Sequence, residues 1–362
     1  MNNGFKFGLE AEYMLADSHT FKPLWYKDLK FQELDNIFAN IDLTGLPPLD
    51  GLSAEPPHEK LMPFIVEGYG ITDENFKVID AHPKGVEIRT PVCQSIDQLF
   101  DVFEDCFGRF KKALNEHHFT PIAISHHPIE TKFTGPQNKR RHDFWLWAME
   151  VMTTYGPDIN VSLPREVSDK LFSDIEDLEA KVNYYAPALA AISLASPFYH
   201  GHIWHHRQEI GLSYRTFKRS IVAPAIELHP DENFRIEFKV FEMTNKSIDF
   251  KNYFLLVLAL FLDDKLAGRA SKQERIYDLG LVARYGLRAP EMENRFLEIF
   301  KRAPTVLGQY GFNPDSLEGL IPRIENSMCP AKEMIHQFQQ GSTLSEIMKE
   351  LSMLHTLSGK VI

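Results

Sequence analysis

Residues 5–15 read FKFGLEAEYML, and hydrophobic and polar side chains alternate through the segment. Phe5, Phe7, Leu9, Ala11, Tyr13 and Leu15 fall on one side, and Lys6, Gly8, Glu10, Glu12 and Met14 on the other. A period of two is a strand with one buried face. The second face is the unusual one. Glutamate is depleted in strands, yet Glu10 and Glu12 stand side by side on it.

The pattern returns three times. Residues 85–92, GVEIRTPV, put Glu87 and Arg89 between Val86 and Ile88. Residues 158–163, DINVSL, put Asp158, Asn160 and Ser162 opposite Ile159 and Val161, and Pro164 ends the run. Residues 234–242, FRIEFKVFE, put Arg235, Glu237 and Lys239 opposite Ile236, Phe238 and Val240. Each alone is what one solvated face of an antiparallel sheet looks like. Joined in one sheet, they crowd glutamates that repel one another and need a counter-charge. Hard Mg²⁺ or Mn²⁺ suits carboxylate oxygens.

Around these strands the reading is coarser. Ser95 and Gln98 have capping-box spacing, and Ile96, Leu99, Phe100, Phe103, Phe107, Phe110 and Leu114 continue as a helical stripe. A strand is expected at 119–126 and a helix at 140–153. Helices are expected at 165–181, 183–195, 247–268, 271–284, 289–302, 313–325 and 331–356. Residues 17–75 read as irregular, with LPPLDGLSAEPP as a long loop. No linker separates two domains, so 1–362 reads as a single catalytic domain: a sheet-bearing core at 5–245 and a mainly helical part at 246–362.

Composition sets outer bounds. The 362 residues are 44% hydrophobic and 25% charged, which excludes disordered and fibrous classes. A net charge of −11 argues against nucleic acid and anionic membranes as partners. The longest apolar run, Phe254–Leu262, is too short for a membrane span. Three scattered cysteines and an opening without a leader pattern point to a reducing, cytoplasmic setting. Neither a P-loop nor a dinucleotide-binding glycine motif occurs.

The motifs together resemble the glutamate–cysteine ligase family, in its bacterial carboxylate–amine ligase branch. FGLEAEYML is similar to that family's first strand, Gly-hydrophobic-Glu-x-Glu. Asp80-AHPKGV-Glu87-IRTPVC resembles its Asp-x₆-Glu segment with Thr-Pro-Val. TYGPDINVSL stands where Gly-x-His-Val-His-Val-Gly is usual. ALAAISLASPFYHG followed by GLSYRT resembles Ala-Leu-x-Ala-x-Ser-Pro with a later Ser-x-Arg, and FRIEFKVFE resembles Glu-Phe-Arg-Val-x-Asp.

The resemblance implies an α+β fold: a glutamine synthetase-like antiparallel sheet forming a half-barrel active site, helices on its outer face and a helical C-terminal part. It implies ATP-dependent joining of a carboxylate, glutamate in the parent family, to an amine through an acyl phosphate, as in glutathione biosynthesis. Metal ligands carry over to Glu10, Glu12, Asp80, Glu87 and Glu237, with Asp158 and Asn160 where the family has two histidines. Oxygen donors there favour Mg²⁺ or Mn²⁺ over Zn²⁺. Arg215, Glu237 and Lys239 are the catalytic candidates, and Arg89, Arg215, Arg235 and Lys239 the nucleotide-binding ones. Lys239 replaces a usual arginine, so a fork becomes a point charge. The partners implied are small amino-acid or amine substrates, with a homodimer as candidate assembly. A metal-dependent amide hydrolase and a non-catalytic binding member of the fold are the competing readings.

Other features carry less. His200, His202, His205 and His206 read as a loop near the site rather than a zinc or nickel centre. His117–His118 and His126–His127 read as partly exposed element ends, one of the second pair near the site. Cys93 reads as a small buried residue. Residues 137–144, with Lys139, Arg140 and Arg141, read as a solvated helix start.

Overall fold

The alternation of residues 5–15 is realised as β1 (Lys6–Asp17), the centre of an antiparallel sheet. The computed structural model describes residues 4–133, 151–221 and 223–362. The helix expected at 140–153 and the basic run at 137–144 fall almost wholly outside the described residues. After β1 come α1 (Phe31–Ala39), β2 (Phe64–Thr72), β3 (Val78–Arg89), α2 (Ile96–Glu116) and β4 (Phe119–Ile122). Then follow β5 (Pro157–Ser162), α3 (Arg165–Phe172) and α4 (Ile175–Ala191). Two small ribbons come next, β6 (Phe198–Tyr199) with β7 (His202–Ile203), and β8 (His205–His206) with β9 (Glu209–Ile210). The sheet is completed by β10 (Ile226–His229) and β11 (Arg235–Phe238), which follow α5 (Tyr214–Arg219).

The strand order is β10-β11-β5-β1-β3-β2, every pair antiparallel, with β4 added at the far end of β1. The sheet curls into a half-barrel. Its apolar face packs on α2 and on α6 (Ser247–Leu262). Phe7 meets Phe254 edge-on at 6.2 Å, and Tyr13 lies 5.6 Å from Phe107. Helix α6 is buried nearly all round, which is why its sequence shows a continuous apolar run and no stripe. The remaining helices are α7 (Lys272–Tyr285), α8 (Met292–Gln309), α9 (Ile321–Glu325), α10 (Pro330–Gln339) and α11 (Leu344–Leu351).

Several boundaries moved for identifiable reasons. Residues 17–75 are not all irregular: α1 buries Phe31, Leu34, Ile37 and Phe38, and β2 is the edge partner of β3. Strand β10 was also not anticipated. Only 119–122 of the expected strand 119–126 forms a ladder. The expected helix 165–181 breaks where Asp174 accepts a hydrogen bond from the Asp177 N–H and starts α4. Helix α6 stops at Leu262, and 331–356 divides at Gly341, whose φ is +101°. Ser95 does cap α2, but the Gln98 side chain accepts from the Gln94 N–H, so the cap is not reciprocal.

Candidate active site

Cross-strand register decides which second-face residues meet. Glu12 lies opposite Glu87, and Glu10 is flanked by Arg89 on β3 and Asp158 on β5. Asn160 faces Glu237 on β11. Paired residues of this kind are roughly 5 Å apart at Cβ, so four strands deliver their charges to one concave surface.

Each carboxylate meets a cation there. The Lys84 ammonium lies 2.6 Å from Glu12, and the Gly156 N–H donates to the other Glu12 oxygen at 2.8 Å. Arg89 donates to Glu87 at 3.0 Å and lies 3.9 Å from Glu10 and 3.7 Å from Glu67. Arg235 bonds Asn160 at 2.6 Å and Glu237 at 3.1 Å. Lys239 bonds Glu237 and sits 3.1 Å from Asp158. His229 contacts Glu237 at 3.2 Å.

The charge states diverge accordingly. Burial lifts Asp158 to about 7 despite the Lys239 ammonium. Burial also raises Glu10, and with neighbouring Glu67 it raises Glu87 well above the usual carboxylate range. Burial opposes ionisation of Glu237 too, but Lys239 and Arg235 hold it down at about 2. Glu12 is likewise lowered, because Lys84, Arg219 and Arg215 outweigh its burial.

Among the described residues, two groups of side chains converge closely enough to hold a divalent ion. Oxygens of Glu10, Asp158 and Glu237 lie within 4.8 Å of one another, a hard-donor set for Mg²⁺ or Mn²⁺. Glu227, His229 and Glu237 form a second such group at the sheet edge.

Beside the sheet, α5 carries Arg215, which is 2% exposed. Its guanidinium packs on Gly156, where a Cβ would come within 2.1 Å of Nη2. Nε and Nη2 are buried and have no hydrogen-bond partner among the described residues, and Nε of Arg219, one turn on, shares that state. Burial and the adjacent Arg219 lower Arg215 to about 10. Buried, unsatisfied guanidinium donors suit a tetrahedral oxyanion.

The turn that carries Arg215 hangs on Glu242. This fully buried carboxylate accepts from the Ala195 N–H at 2.6 Å, the Ser196 hydroxyl at 2.8 Å, the Thr216 hydroxyl at 2.6 Å and the Ser213 hydroxyl. It ties the segment after α4, the start of α5 and the end of the FRIEFKVFE stretch into one knot.

The expected residues therefore assemble with one exception. Asp80 is exposed at the outer end of β3, paired with Ile71, and bonds its own neighbour's N–H. Seven residues from Glu87, it lies about 20 Å along the strand and does not reach the carboxylates. His126 and His127 correct another expectation, since both are 1% exposed. The four histidines at 200–206 do not converge: His200 bonds Thr131, His205 bonds the Ile203 carbonyl, and His206 packs on Phe217. Cys93 is buried as expected, its thiol pushed up to about 11 by burial.

Six participants escaped the sequence reading: Lys84, Glu67, Arg219, Glu227, His229 and Glu242. Arg219 had a readable signal, four residues beyond Arg215 on one helix. Lys84 had none, because it lies on a β-bulge. Glu67 pairs with Gly85 and Gly68 with Pro83, so Lys84 is an extra residue that breaks the alternation.

Comparison with known proteins agrees with this geometry. The profile of glutamate–cysteine ligase family 2 matches residues 6–215. A putative glutamate–cysteine ligase 2 of Jannaschia sp. (strain CCS1) is 28% identical over 202 residues, 54% of this chain and 43% of that protein. Among solved structures, a glutamate–cysteine ligase from Francisella tularensis in complex with AMP superposes with a TM-score of 0.62 at 12% identity, over 96% of this chain and 88% of that one. A bifunctional glutathione synthetase from Pasteurella multocida gives 0.61 at 11% identity, over 97% of this chain and 52% of that one. The matched part is thus about half or less of the Jannaschia and Pasteurella proteins. Among the described residues no helix is long and apolar enough to cross a membrane. With the profile covering more than half of its length and the half-barrel reproduced in solved ligases, this chain belongs to the glutamate–cysteine ligase family 2.

Proposed function

We propose that the protein is an ATP-dependent carboxylate–amine ligase that activates a carboxylate, glutamate by family analogy, as an acyl phosphate and joins it to an amine. The whole chain acts as one catalytic unit in this reading. The observation that carries it is the placement of three converging carboxylates beside a buried arginine with unsatisfied donors. The family profile and the AMP complex of the Francisella neighbour support a nucleotide as co-substrate.

Glu10, Asp158 and Glu237 would hold a divalent ion. When bound, it supplies charge neutralisation for the phosphoryl group being transferred. Arg215 offers two N–H donors to phosphoryl oxygens, and its burial keeps water from competing for them. Glu242 fixes the Arg215 turn. Lys239 and Arg235 orient Glu237, while Arg89 neutralises Glu87 and supports Glu10.

The test is nucleotide turnover over pairs of carboxylates and amines with Mg²⁺ or Mn²⁺, with product masses measured. ADP and phosphate formed only when both substrates are present supports the ligase. Amide cleavage without nucleotide would replace it with a hydrolase.

A further inference from the structure

The three residues that lead into β5, Thr154, Tyr155 and Gly156, are tied down on every side. The Thr154 carbonyl accepts from the Lys84 ammonium at 3.1 Å. The Tyr155 ring is fully buried, its hydroxyl donates to the Lys84 carbonyl at 2.8 Å, and its N–H donates to the Ser125 carbonyl at 3.0 Å. Gly156 makes two bonds with one residue. Its N–H donates to the Glu12 carboxylate at 2.8 Å, and its carbonyl accepts the Glu12 N–H at 3.2 Å. Nothing in this backbone calls for a glycine, since φ at 156 lies outside the left-handed region.

What calls for it is Arg215. The three atoms nearest an added Cβ all belong to the guanidinium: Nη2 at 2.1 Å, Cζ at 2.9 Å and Nε at 3.3 Å. A methyl does not fit there, so any side chain at 156 drives the guanidinium away. Arg215 has little freedom to give way, because it is buried and its neighbours Ser213 and Thr216 are both bonded to Glu242. A bare Cα also carries no hydrogen-bonding group. The contact fixes the guanidinium without taking any of its donors, and Nε and Nη2 keep no partner among the described residues. The carboxylates that attract Arg215 are committed elsewhere: Glu12 to Lys84 and the Gly156 N–H, Asp158 to Lys239, and Glu242 to its four donors.

Resting on the ligase reading, we propose that Gly156 is a positioning residue. Its missing side chain makes the seat in which Arg215 is held against the β1–β5 junction, with its donors left for the phosphoryl group that moves. The glycine touches no substrate and acts through the arginine.

The seat is tested by a double-mutant cycle on the full chain. Gly156→Ala alone is expected to lower the urea midpoint by about 0.3–1 M, the scale of overpacking a buried site. With Arg215→Ala already in place the methyl has room, and the same change is expected to shift the midpoint by less than about 0.1 M. If Gly156→Ala alone does not fold, the double variant is expected to fold. An equal loss with and without Arg215, or a double variant that fails to fold where Arg215→Ala folds, overturns the inference and leaves the ligase reading standing.

The role of the seat is read by calorimetry with Mg²⁺ and the β,γ-imido analogue of ATP, with ADP for comparison. Gly156→Ala and Arg215→Ala are each expected to weaken the analogue at least about fivefold and to leave ADP within about twofold. Unchanged analogue binding in a folded Gly156→Ala, or equal losses for analogue and ADP in either variant, overturns the role. A folded native chain that does not bind the analogue overturns it as well, and if ADP is not bound either, the nucleotide leaves the ligase reading too.

Discussion

Acid should unfold this protein through two histidines. His126 and His127 are buried between the end of β4 and the segment leading to β5. His126 shares a hydrogen bond with the Thr153 hydroxyl at 2.9 Å and meets the ring of Tyr214, the first residue of α5, edge-on at 4.8 Å. His127 accepts the Ile129 and Glu130 N–H groups. Burial drives both from 6.5 to about 3. A depressed histidine pKa means the unfolded chain takes up the proton first. The stability these rings contribute is complete above pH 6.5 and drains away as pH falls toward 3. At pH 5 the linkage amounts to about 2 kcal/mol per ring, hence about 4 kcal/mol for the pair, against a typical total of about 5–15. The figure at pH 5 changes little for any folded value below 4. Urea unfolding followed by tryptophan fluorescence at pH 8 and pH 5 measures it. His126→Gln or His127→Gln lowers stability at pH 8 through lost contacts, but should shrink the pH 8-to-5 difference by about 2 kcal/mol each. Carboxylates such as Asp158 titrate alike in native and variant and cancel. A native pH difference that persists undiminished in both variants refutes the assignment.

Three further outcomes follow from the cleft. Arg215→Lys keeps the charge but loses the fork, so kcat/KM should fall by at least about thirtyfold, or about 2 kcal/mol; a loss below about 1 kcal/mol is the scale of an exposed pair and would place Arg215 outside the site. Glu242→Ala leaves buried donors facing nothing and should cost about 3–5 kcal/mol by thermal unfolding. Glu242→Gln should fold yet lower turnover by loosening the Arg215 turn, and unchanged kinetics would show that the knot is only structural. Asp158→Ala should raise the Mg²⁺ concentration needed for half-maximal turnover more than Asn160→Ala does, because Asp158 belongs to the converging donor set and Asn160 is engaged by Arg235; equal shifts would contradict the assigned ligands.

The sheet was legible because four strands write period-two patterns with carboxylates on one face, and burial alternates with them along β1 from Lys6 to Tyr13, beyond which Met14–Ala16 are buried on both sides. Helix α2 was legible from its stripe and its cap. Strand β2, FIVEGYGIT, was not. It is an edge strand with two glycines, and its partner β3 is bulged opposite it. Helix α1 lacked a capping side chain at Lys30 and was swallowed by its polar, proline-rich surroundings. In the cleft, residues on regular strands were found, and those placed by exceptions were missed. Lys84 depends on a bulge and Glu242 on a turn after the last strand. Asp80 erred the other way, because spacing along a motif says nothing of how far a long hairpin carries a residue from the centre.

The bulge at Lys84 also separates two things that strands normally bind together, their pairing and their chemistry. Strand β3 carries one residue more than β2 at this point. Deleting residue 84 would bring Pro83 beside Gly85 and restore one-to-one pairing with Gly68 and Glu67. The hairpin beyond it would keep its faces, since the pairs from Gly68–Pro83 to Ile71–Asp80 already match, up to a second irregularity after Ile71. A single-codon deletion would thus remove a buried charge without resetting the strand. Within related chains, a gap of one residue at this position would mark a change in the site's ionic make-up and not a difference in fold.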